Sequence, residues 1–227
     1  EVEQVEKELK NSTFFLKALE SRSQTSNPKP PFRTSTLQMA AASSLGFTAD
    51  RTMQSAQKLY EGGFITYLRT DGISISTSPN TGEPFSEENP GPPPLEEIRN
   101  FIRSNYAKTY LSKETRIFKS KVQNSQEAHE AIRPTDIFKT PKDTILNADE
   151  AKLYELIWNR TVASQMESSK YERKTLVISS SDGKYEFRAS SRKNIFQGFE
   201  ILISASEKED SFFPEDLSEG MPLDMLS

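Results

Sequence analysis

One tyrosine and one arginine stand two residues apart in the stretch GFITYLRTD, residues 63–71. A tyrosine hydroxyl can act as a nucleophile toward phosphorus, and an arginine guanidinium binds phosphate through two parallel hydrogen bonds. Tyr67 and Arg69 are therefore candidates for a phosphoryl-transfer pair. The alternative is that Tyr67 packs in a core and Arg69 points into solvent, the ordinary place of each residue type.

The residues around this pair predict a helix, a tight turn and a strand. Gly62 and Gly63 can end a helix because glycine adopts the left-handed conformation at little cost, and the run 64–70 is rich in β-favouring residues. Successive side chains of a strand point to opposite faces, so Tyr67 and Arg69 would meet the same ligand. Their face would also carry Ile65, and the other face Phe64, Thr66, Leu68 and Thr70.

Two short helices are predicted immediately before this strand. Thr34 or Ser35 can cap the first helix, and Gly46 supplies the residue after its end. Thr48 can cap the second, which ends at Gly62 and buries Met53, Ala56, Leu59 and Tyr60. Two helices followed by a strand are also the arrangement of winged-helix modules, although spacing leaves an ordinary helical hairpin open.

The rest of the chain alternates helical and β patterns. A helix over 1–11 and a strand over 13–23 precede a linker rich in serine and proline at 24–31. The later patterns predict a long loop over 73–94, a helix over 95–110, a basic strand or loop over 113–122, a helix from Asn147 to about Met166, a hairpin over 175–190 and a strand over 196–203. The late strands can pair with the early one, so the helical region would be inserted within a β-rich domain.

Composition limits the classes of protein. The 227 residues include no cysteine, which excludes disulfides and thiolate metal sites and favours an intracellular setting. No apolar run approaches the roughly 20 residues that a membrane span requires. The chain begins in the middle of a helical pattern and ends without a natural stop, so we expect it to be a piece of a longer protein.

Charge is unevenly distributed along the chain, although its net value is -4. Residues 99–133 carry eight lysines and arginines against three glutamates, a net of +5, while residues 207–224 carry a net of -6. The basic region over 99–133 is compatible with a nucleic-acid partner, and the alternative is that its charges only face solvent. The acidic end is expected to leave the β-rich domain after residue 204.

Three motifs together carry a resemblance to a known family. They are PPFRTSTLQ ending at Gln38, RTMQSAQKLYEGGFITYLRTD over 51–71, and NSQEAHEAIRPTD over 124–136. In this order and at these separations they resemble the breaking and rejoining region of bacterial type IA DNA topoisomerases. The resemblance implies an α+β fold, with a winged-helix-like domain that carries the nucleophile over 28–170. That domain would be inserted in a β-rich arch domain over 1–27 and 171–205, as part of a toroid, with 206–227 as an acidic tail or the start of another domain.

The resemblance also implies roles for the residues of these motifs. Tyr67 would attack a backbone phosphate of single-stranded DNA and form a 5′-phosphotyrosine, while Arg69 holds that phosphate and His129 hydrogen-bonds it or relays a proton. DNA-binding roles follow for Thr34, Ser35, Thr36, Gln38, Asp71, Glu130 and Arg133. Helix capping is an alternative role for the first four of these residues. Gly72 departs from the serine that the family usually has after its RTD triplet.

A metal site is implied for the family but not for this chain. Family members bind Mg²⁺ through a DxDxE pattern in a Toprim domain, and no such pattern is present in these 227 residues. No P-loop pattern is present either, in keeping with an ATP-independent reaction that relaxes negative supercoils. The expected partners are single-stranded DNA and the Toprim and groove domains of the same protein, in the cytoplasm with the nucleoid. The alternatives are another type IA member, such as topoisomerase III or a reverse gyrase, and a non-catalytic winged-helix module that binds nucleic acid.

Overall fold

A computed structural model describes residues 2–78, 92–119, 130–203, 213–214 and 216–224. Over these residues the chain forms five α-helices and a four-stranded antiparallel sheet, which confirms the α+β class. In chain order the elements are α1 Val2–Lys10, β1 Phe14–Ser26, α2 Thr34–Leu45, α3 Ala49–Glu61, α4 Pro94–Asn105, α5 Ala148–Ala163, β2 Ser169–Ser180, β3 Glu186–Phe196 and β4 Pro222–Leu223. Short 3-10 turns lie at Lys108–Tyr110, Pro141–Asp143 and Gly198–Leu202.

The chain divides into two compact units. The sheet unit comprises Glu1–Ser26, Ser169–Gln197 and Ser206–Ser227, and the helical unit comprises Asn27–Ser168 and Gly198–Ala205. The helical unit is thus inserted in the sheet unit along the sequence. The domain bounds expected from the sequence stay a prediction, and of the two segments that follow β3, residues 198–205 belong to the helical unit and residues 206–227 to the sheet unit.

The sheet unit is built on β1, which pairs with β2 along its whole length. The strand order is β3-β2-β1-β4, and every pairing is antiparallel. β2 and β3 form the predicted hairpin, whose turn places Gly183 at φ 70°. Leu16 of β1 is fully buried, and Phe14 contacts Phe187 edge to face at 5.8 Å between ring centroids.

The helical unit is organised around α5. Its helices each contribute at least one fully buried side chain to a common core, namely Leu37, Leu59, Ile102 and Ile157. Two predicted helix starts are confirmed, since Thr48 accepts a hydrogen bond from the Arg51 N–H and Asn147 accepts from Asp149 and Glu150. The predicted end of α2 is also confirmed, with Gly46 left-handed at φ 67°.

The segment after β3 differs from the predicted strand over 196–203. β3 ends at Phe196, and Gly198–Leu202 forms a 3-10 turn in the helical unit. The reason is burial, because Phe199 packs in the helical core and its N–H donates to Glu167 O at 2.9 Å. Gly198, at φ 51°, makes this approach possible, since a Cβ there would lie 2.5 Å from Glu167 O.

The predicted tail also differs, because part of it joins the sheet. β4 pairs with the first residues of β1, and backbone bonds join Leu16 to Gly220 and Met221 at 2.7 and 2.9 Å. An unpaired strand edge presents free N–H and C=O groups, and β4 satisfies those of β1 over this stretch. Residues 216–224 are therefore part of the sheet unit and do not leave it.

Two helices end earlier along the chain than predicted. α4 ends at Asn105, where the sequence predicted a helix to residue 110, and the Lys108–Tyr110 turn follows separately. α5 ends at Ala163, three residues before the predicted Met166. Most of the predicted 73–94 loop, and residues 120–122 of the predicted basic segment, lie outside the described residues, whereas 113–119 form neither helix nor strand.

Candidate active site

The segment that carries Tyr67 begins where α3 ends. The Gly62 N–H donates to Lys58 O at 2.9 Å, Gly63 is left-handed at φ 73°, and the Phe64 N–H returns to Leu59 O at 2.8 Å. This pattern closes the helix and reverses the chain, as the glycine pair predicted. The segment that follows, residues 64–71, is called the tyrosine segment below.

The tyrosine segment is not the predicted strand. Its one β-bridge among the described residues joins Ile65 to Pro134, and the rest of its backbone bonds reach separate partners on two sides. On one side the Thr66 N–H donates to Arg133 O at 2.9 Å, and the Thr66 hydroxyl donates to Ala131 O at 2.7 Å. Residues 131–135 therefore hold the chain immediately before Tyr67.

On the other side the first turn of α2 holds the chain immediately after Tyr67. The Thr34 hydroxyl lies 2.7 Å from Leu68 O and 3.0 Å from Thr70 O, and it accepts from the Thr70 N–H at 2.9 Å. The Thr34 N–H also donates to Thr70 O at 3.0 Å. A single half-buried side chain thus joins the helix start to the backbone on both sides of Arg69.

Tyr67 lies between these two anchors and is 49% exposed. Its neighbour Leu68 is 1% exposed and packs in the helical core, so the backbone at Tyr67 is held while its ring projects outward. The ring meets Tyr60 edge to face, with centroids 5.4 Å apart and planes at 68°. The Tyr67 side chain therefore lies at the surface, where a ligand can reach it, and this argues against the alternative of a tyrosine packed in the core.

Arg69 and Asp71 are exposed, while Leu68 and Thr70 are buried. With Tyr67 exposed as well, this alternation agrees with the predicted faces of residues 67–70. Ile65 departs from it, since it was expected on the face of Tyr67 and is 1% exposed. The partner segment changes between Thr66, which bonds to Arg133, and Leu68, which bonds to Thr34, so a single strand alternation does not run through the segment.

The first turn of α2 brings together four predicted DNA-binding residues. The predicted capping role of Thr34 or Ser35 is wrong, because Arg33 occupies the N-cap position and Thr34 is the first helical residue. Thr36 completes this helix start by accepting from the Arg33 N–H at 3.0 Å. Ser35 is exposed and Gln38 half-buried, so both can reach a ligand at this turn.

Glu130 and Arg133 form a pair with each other. Nε and Nη2 of Arg133 donate to the two carboxylate oxygens of Glu130 at 2.9 and 3.0 Å, and Nη1 donates to Pro134 O at 2.8 Å. Glu130 also accepts from the Ser76 N–H at 2.9 Å. Arg133 is buried, so this pair holds the chain that anchors Thr66.

Burial raises the pKa of the neighbouring Glu97 carboxyl, against the nearby charge of Arg133. His129, the third predicted catalytic residue, lies outside the described residues. Its role stays a prediction from the sequence motif.

Sequence reasoning missed Tyr60 and Thr66. Tyr60 was assigned to the buried face of α3 but is 40% exposed and touches Tyr67, and Thr66 was assigned only a strand face. A signal for Tyr60 was available in its place on the last turn of α3, directly before the glycine pair. No local signal identified Thr66, whose partners lie at residues 131 and 133.

Among the residues that the structure describes, no group of three or more histidines, cysteines or carboxylates is placed to hold a metal ion. No helix within the described ranges combines the length and apolar character that a membrane crossing needs.

Comparison with known proteins identifies a family over the whole chain. The DNA topoisomerase family model matches residues 1–227. DNA topoisomerase 1 of Rickettsia bellii is 40% identical over 229 residues, covering 94% of this chain and 27% of its own length. DNA topoisomerase 1 of Streptomyces coelicolor is 44% identical over 195 residues, covering 84% of this chain and 19% of its own length.

A solved structure agrees with these relatives. Full-length topoisomerase I from Thermotoga maritima matches with a TM-score of 0.75 and 35% identity, over 97% of this chain and 34% of that one. The chain spans about a fifth to a third of the length of these relatives. The resemblance carried by the three motifs is confirmed, and the chain belongs to the bacterial type IA DNA topoisomerase family, among relatives named DNA topoisomerase 1.

Proposed function

We propose that the protein containing this chain transiently cleaves and rejoins one strand of DNA, with Tyr67 as the nucleophile. The observation that carries the proposal is the presentation of Tyr67, which is half exposed while the backbone on either side of it is anchored. A reacting group that is already held in place reacts faster, because it loses less conformational freedom in reaching the transition state.

The proposed reaction exchanges one phosphate ester for another. The Tyr67 oxygen forms a bond to phosphorus, the bond from phosphorus to the 3′ oxygen breaks, the phenol gives up its proton and the 3′ oxygen gains one. The products are a 5′-phosphotyrosine and a free 3′-hydroxyl, and the reverse attack rejoins the strand. Because one ester replaces another, neither step consumes ATP, and passage of a strand through the break would relax negative supercoils.

Arg69 is proposed to bind the phosphate that Tyr67 attacks. It is exposed two residues from Tyr67, and Thr34 bonds to the backbone on both sides of it. A guanidinium placed there would stabilise negative charge that develops on the phosphate oxygens. The polar residues of the first α2 turn, Asp71 and His129 are proposed to bind the adjoining DNA.

Other parts of the protein are proposed to complete the site. The described residues do not offer a metal site, and the relatives are about four to five times longer than the region that they share with this chain. We therefore propose that the Mg²⁺ ligands, and the groove that leads single-stranded DNA to Tyr67, belong to the parts of the protein that correspond to the rest of these relatives. DNA as substrate places the protein with the nucleoid in the cytoplasm.

Trapping of the covalent intermediate tests the proposal. The full-length protein is mixed with single-stranded DNA labelled at its 3′ or its 5′ end and then denatured. We expect the 3′ label alone to become attached to protein, because the nucleophile keeps the 5′-phosphate of the downstream piece. Tyr67→Phe should abolish this adduct, whereas Tyr185→Phe, which changes a tyrosine of the sheet unit, should not.

Three outcomes would count against the proposal. An adduct that survives Tyr67→Phe would exclude Tyr67 as the nucleophile. Attachment of the 5′ label would reverse the proposed polarity. Binding without any adduct in the unchanged protein would favour a winged-helix module that only binds nucleic acid.

A further inference from the structure

A groove of about 840 Å³ lies in the helical unit, between α2, α5 and the segment 201–203. It is called the α2/α5 groove below. Its walls include Thr36, Ala40 and Ser43 of α2 and Lys152, Leu156 and Arg160 of α5. Residues three or four positions apart lie on one face of a helix, so each helix presents a single stripe of side chains to the groove.

Arg160 in this lining has N–H donors that the described residues do not use. Its guanidinium lies 4.3 Å from the ring centroid of the buried Phe32, and it donates one long hydrogen bond, to Pro30 O at 3.5 Å. Among the described residues no carboxylate forms an ion pair with it. Burial lowers the pKa of the guanidinium, which nevertheless stays charged at neutral pH. Arg160 is therefore a half-buried positive charge with N–H groups left for a ligand in the groove.

The other charged residues leave the groove net positive. Lys29 and Lys152 are exposed, and neither forms an ion pair within the described part of the chain. The charge of Lys152 acts on Asp149, but the hydrogen bonds of that carboxylate come from Arg51. Glu155 is the one acidic residue among the described residues of the lining, so three positive charges face one negative charge. This balance is complementary to an anionic ligand.

Apolar side chains line much of the remaining groove. Met39, Ile201 and Ile203 are exposed there, and Leu156 is half-buried. Proteins bind single-stranded nucleic acid by combining positive charges that follow the backbone with apolar surface that contacts the bases. The α2/α5 groove offers both kinds of surface.

The groove begins at the turn of α2 that holds the tyrosine segment. Thr36 lines it and accepts from the Arg33 N–H, and Thr34 of the same turn bonds to Leu68 O. From Thr36 the lining follows α2 as far as Leu45, a length of about 14 Å at a rise of about 1.5 Å per residue. A DNA strand in the groove would thus be continuous with DNA at the candidate active site. This continuity favours DNA over an acidic peptide as the occupant.

We propose that the α2/α5 groove binds single-stranded DNA next to the cleaved phosphate, with Arg160, Lys29 and Lys152 on the backbone and Met39 and Ile201 against sugars or bases. The proposal rests on the proposed function for the identity of the ligand. Arginine presents its donors in a planar fork that suits phosphate, and the contact with the Phe32 ring orients that plane. Contacts of this kind follow the backbone and do not read base sequence.

Fluorescence anisotropy with a labelled single-stranded oligonucleotide of mixed sequence, measured over a range of salt, tests the proposal. The full-length protein carries Tyr67→Phe, so that binding is measured without cleavage. Lys29→Ala combined with Lys152→Ala should make the slope of log affinity against log salt shallower by about 1.4, because each phosphate contact contributes about 0.7. The affinity deficit of this variant should shrink about sevenfold between about 50 and about 200 mM salt.

Lys7→Ala combined with Lys142→Ala is the matched control. Both lysines are exposed, neither lines the groove, and neither has an ion-pair partner in the described ranges. The control removes the same charge and should keep the original slope. Equal changes of slope in the two double variants would overturn the proposal, as would an unchanged slope in the groove variant.

Substitution of Arg160 separates the role of its charge from its packing. Arg160→Met keeps an unbranched side chain on the Phe32 ring and should make the salt slope shallower by about 0.7. Arg160→Lys keeps the charge and should stay close to the original slope. Thermal unfolding without DNA shows whether each variant is folded. The lysine pair keeps the test decisive if Arg160→Met is unstable, because both lysines are exposed.

A photoreactive phenylalanine analogue in place of Met39 identifies what occupies the groove. We expect irradiation to attach the labelled oligonucleotide there, and not to the same analogue in place of Ile145, which is fully exposed outside the groove. Attachment to another part of the protein, or no attachment of DNA, would overturn the proposal. Neither this readout nor the salt slope involves the Tyr67 hydroxyl. Failure of the groove can therefore be told apart from failure of Tyr67 as the nucleophile, which the covalent adduct reports.

Discussion

At the scale of single residues, Tyr67 is positioned by its neighbours in the chain. Thr66 and Leu68 are each held by other segments, and the ring of Tyr67 rests against Tyr60. Edge-to-face aromatic contacts contribute about 0.5–1.5 kcal/mol beyond the area that they bury. Tyr60 therefore restricts the ring of Tyr67 before a substrate is present.

Substitution of Tyr60 tests this restriction. We expect Tyr60→Ala to slow formation of the covalent adduct by about two- to tenfold, the equivalent of the lost ring contact. Tyr60→Phe keeps the ring and should react at close to the original rate. Single-turnover cleavage at saturating DNA is the measurement, and an alanine variant that cleaves at full rate would contradict the prediction.

At the scale of elements, the start of α2 does more than begin a helix. The Thr34 hydroxyl accepts from the Thr70 N–H and donates to carbonyls of the tyrosine segment. This one hydroxyl therefore links the start of α2 to the tyrosine segment. Helix capping, which the sequence predicted here, is done instead by Arg33 and Thr36. The polar residues of this motif therefore serve both the helix and the candidate site.

Thr34→Val keeps the shape of the side chain and removes its hydroxyl. We expect the free energy of unfolding to fall by about 1–3 kcal/mol, because partly buried backbone groups lose their partner. Thr34→Ser restores the hydroxyl and should recover most of this loss. Denaturant unfolding measures the free energy of unfolding of each variant. Equal stability of the valine and serine variants would contradict a stabilising role for the Thr34 hydroxyl.

An ion pair joins the first turns of α3 and α5. Nε and Nη2 of Arg51 donate to the two oxygens of Asp149 at 2.7 and 2.6 Å. The hydrogen bonds from Arg51 are the main reason that the pKa of Asp149 lies below its usual value. Because the folded pKa is the lower one, the stabilisation is present above the unfolded pKa of about 3.9 and is lost as pH falls through the folded value.

Asp149→Asn should therefore be less stable than the original protein near neutral pH, and the difference should disappear in strong acid. Thermal unfolding of both proteins across the acidic range measures this convergence. Glu155→Gln removes an exposed carboxylate from the same helix and serves as the control, with a smaller difference expected. A difference for Asp149→Asn that is constant with pH would contradict the assignment.

At the scale of the whole molecule, the proposed nucleophile belongs to the helical unit, which presents Tyr67 at its surface. The described residues of neither unit offer a metal site. The described part of the chain therefore presents the proposed nucleophile without a site for the ion that we propose the reaction needs.

The isolated chain is accordingly expected to bind single-stranded DNA weakly and to cleave it little or not at all. Anisotropy and adduct trapping with added Mg²⁺ measure the two properties. Recovery of the adduct on addition of the rest of the full-length protein would support the division of roles. Efficient Mg²⁺-dependent relaxation by these residues alone would contradict it.

The sequence by itself determined the local features of this protein. The three motifs identified the family, and Gly46, Thr48 and Asn147 marked helix ends correctly, because caps and glycine turns depend on a few neighbouring residues. The β2-β3 hairpin was predicted for the same reason. Each of these signals is complete within a short stretch of chain.

Only the tertiary structure decided how distant stretches share their hydrogen bonds and charges. The tyrosine segment has the composition of a strand, but its backbone groups are satisfied by Thr34 on one side and by residues 131–135 on the other. Phe199 leaves the sheet because the helical core buries it. The register of β1 on β2 and of β2 on β3 is likewise set by long-range packing that no local pattern contains.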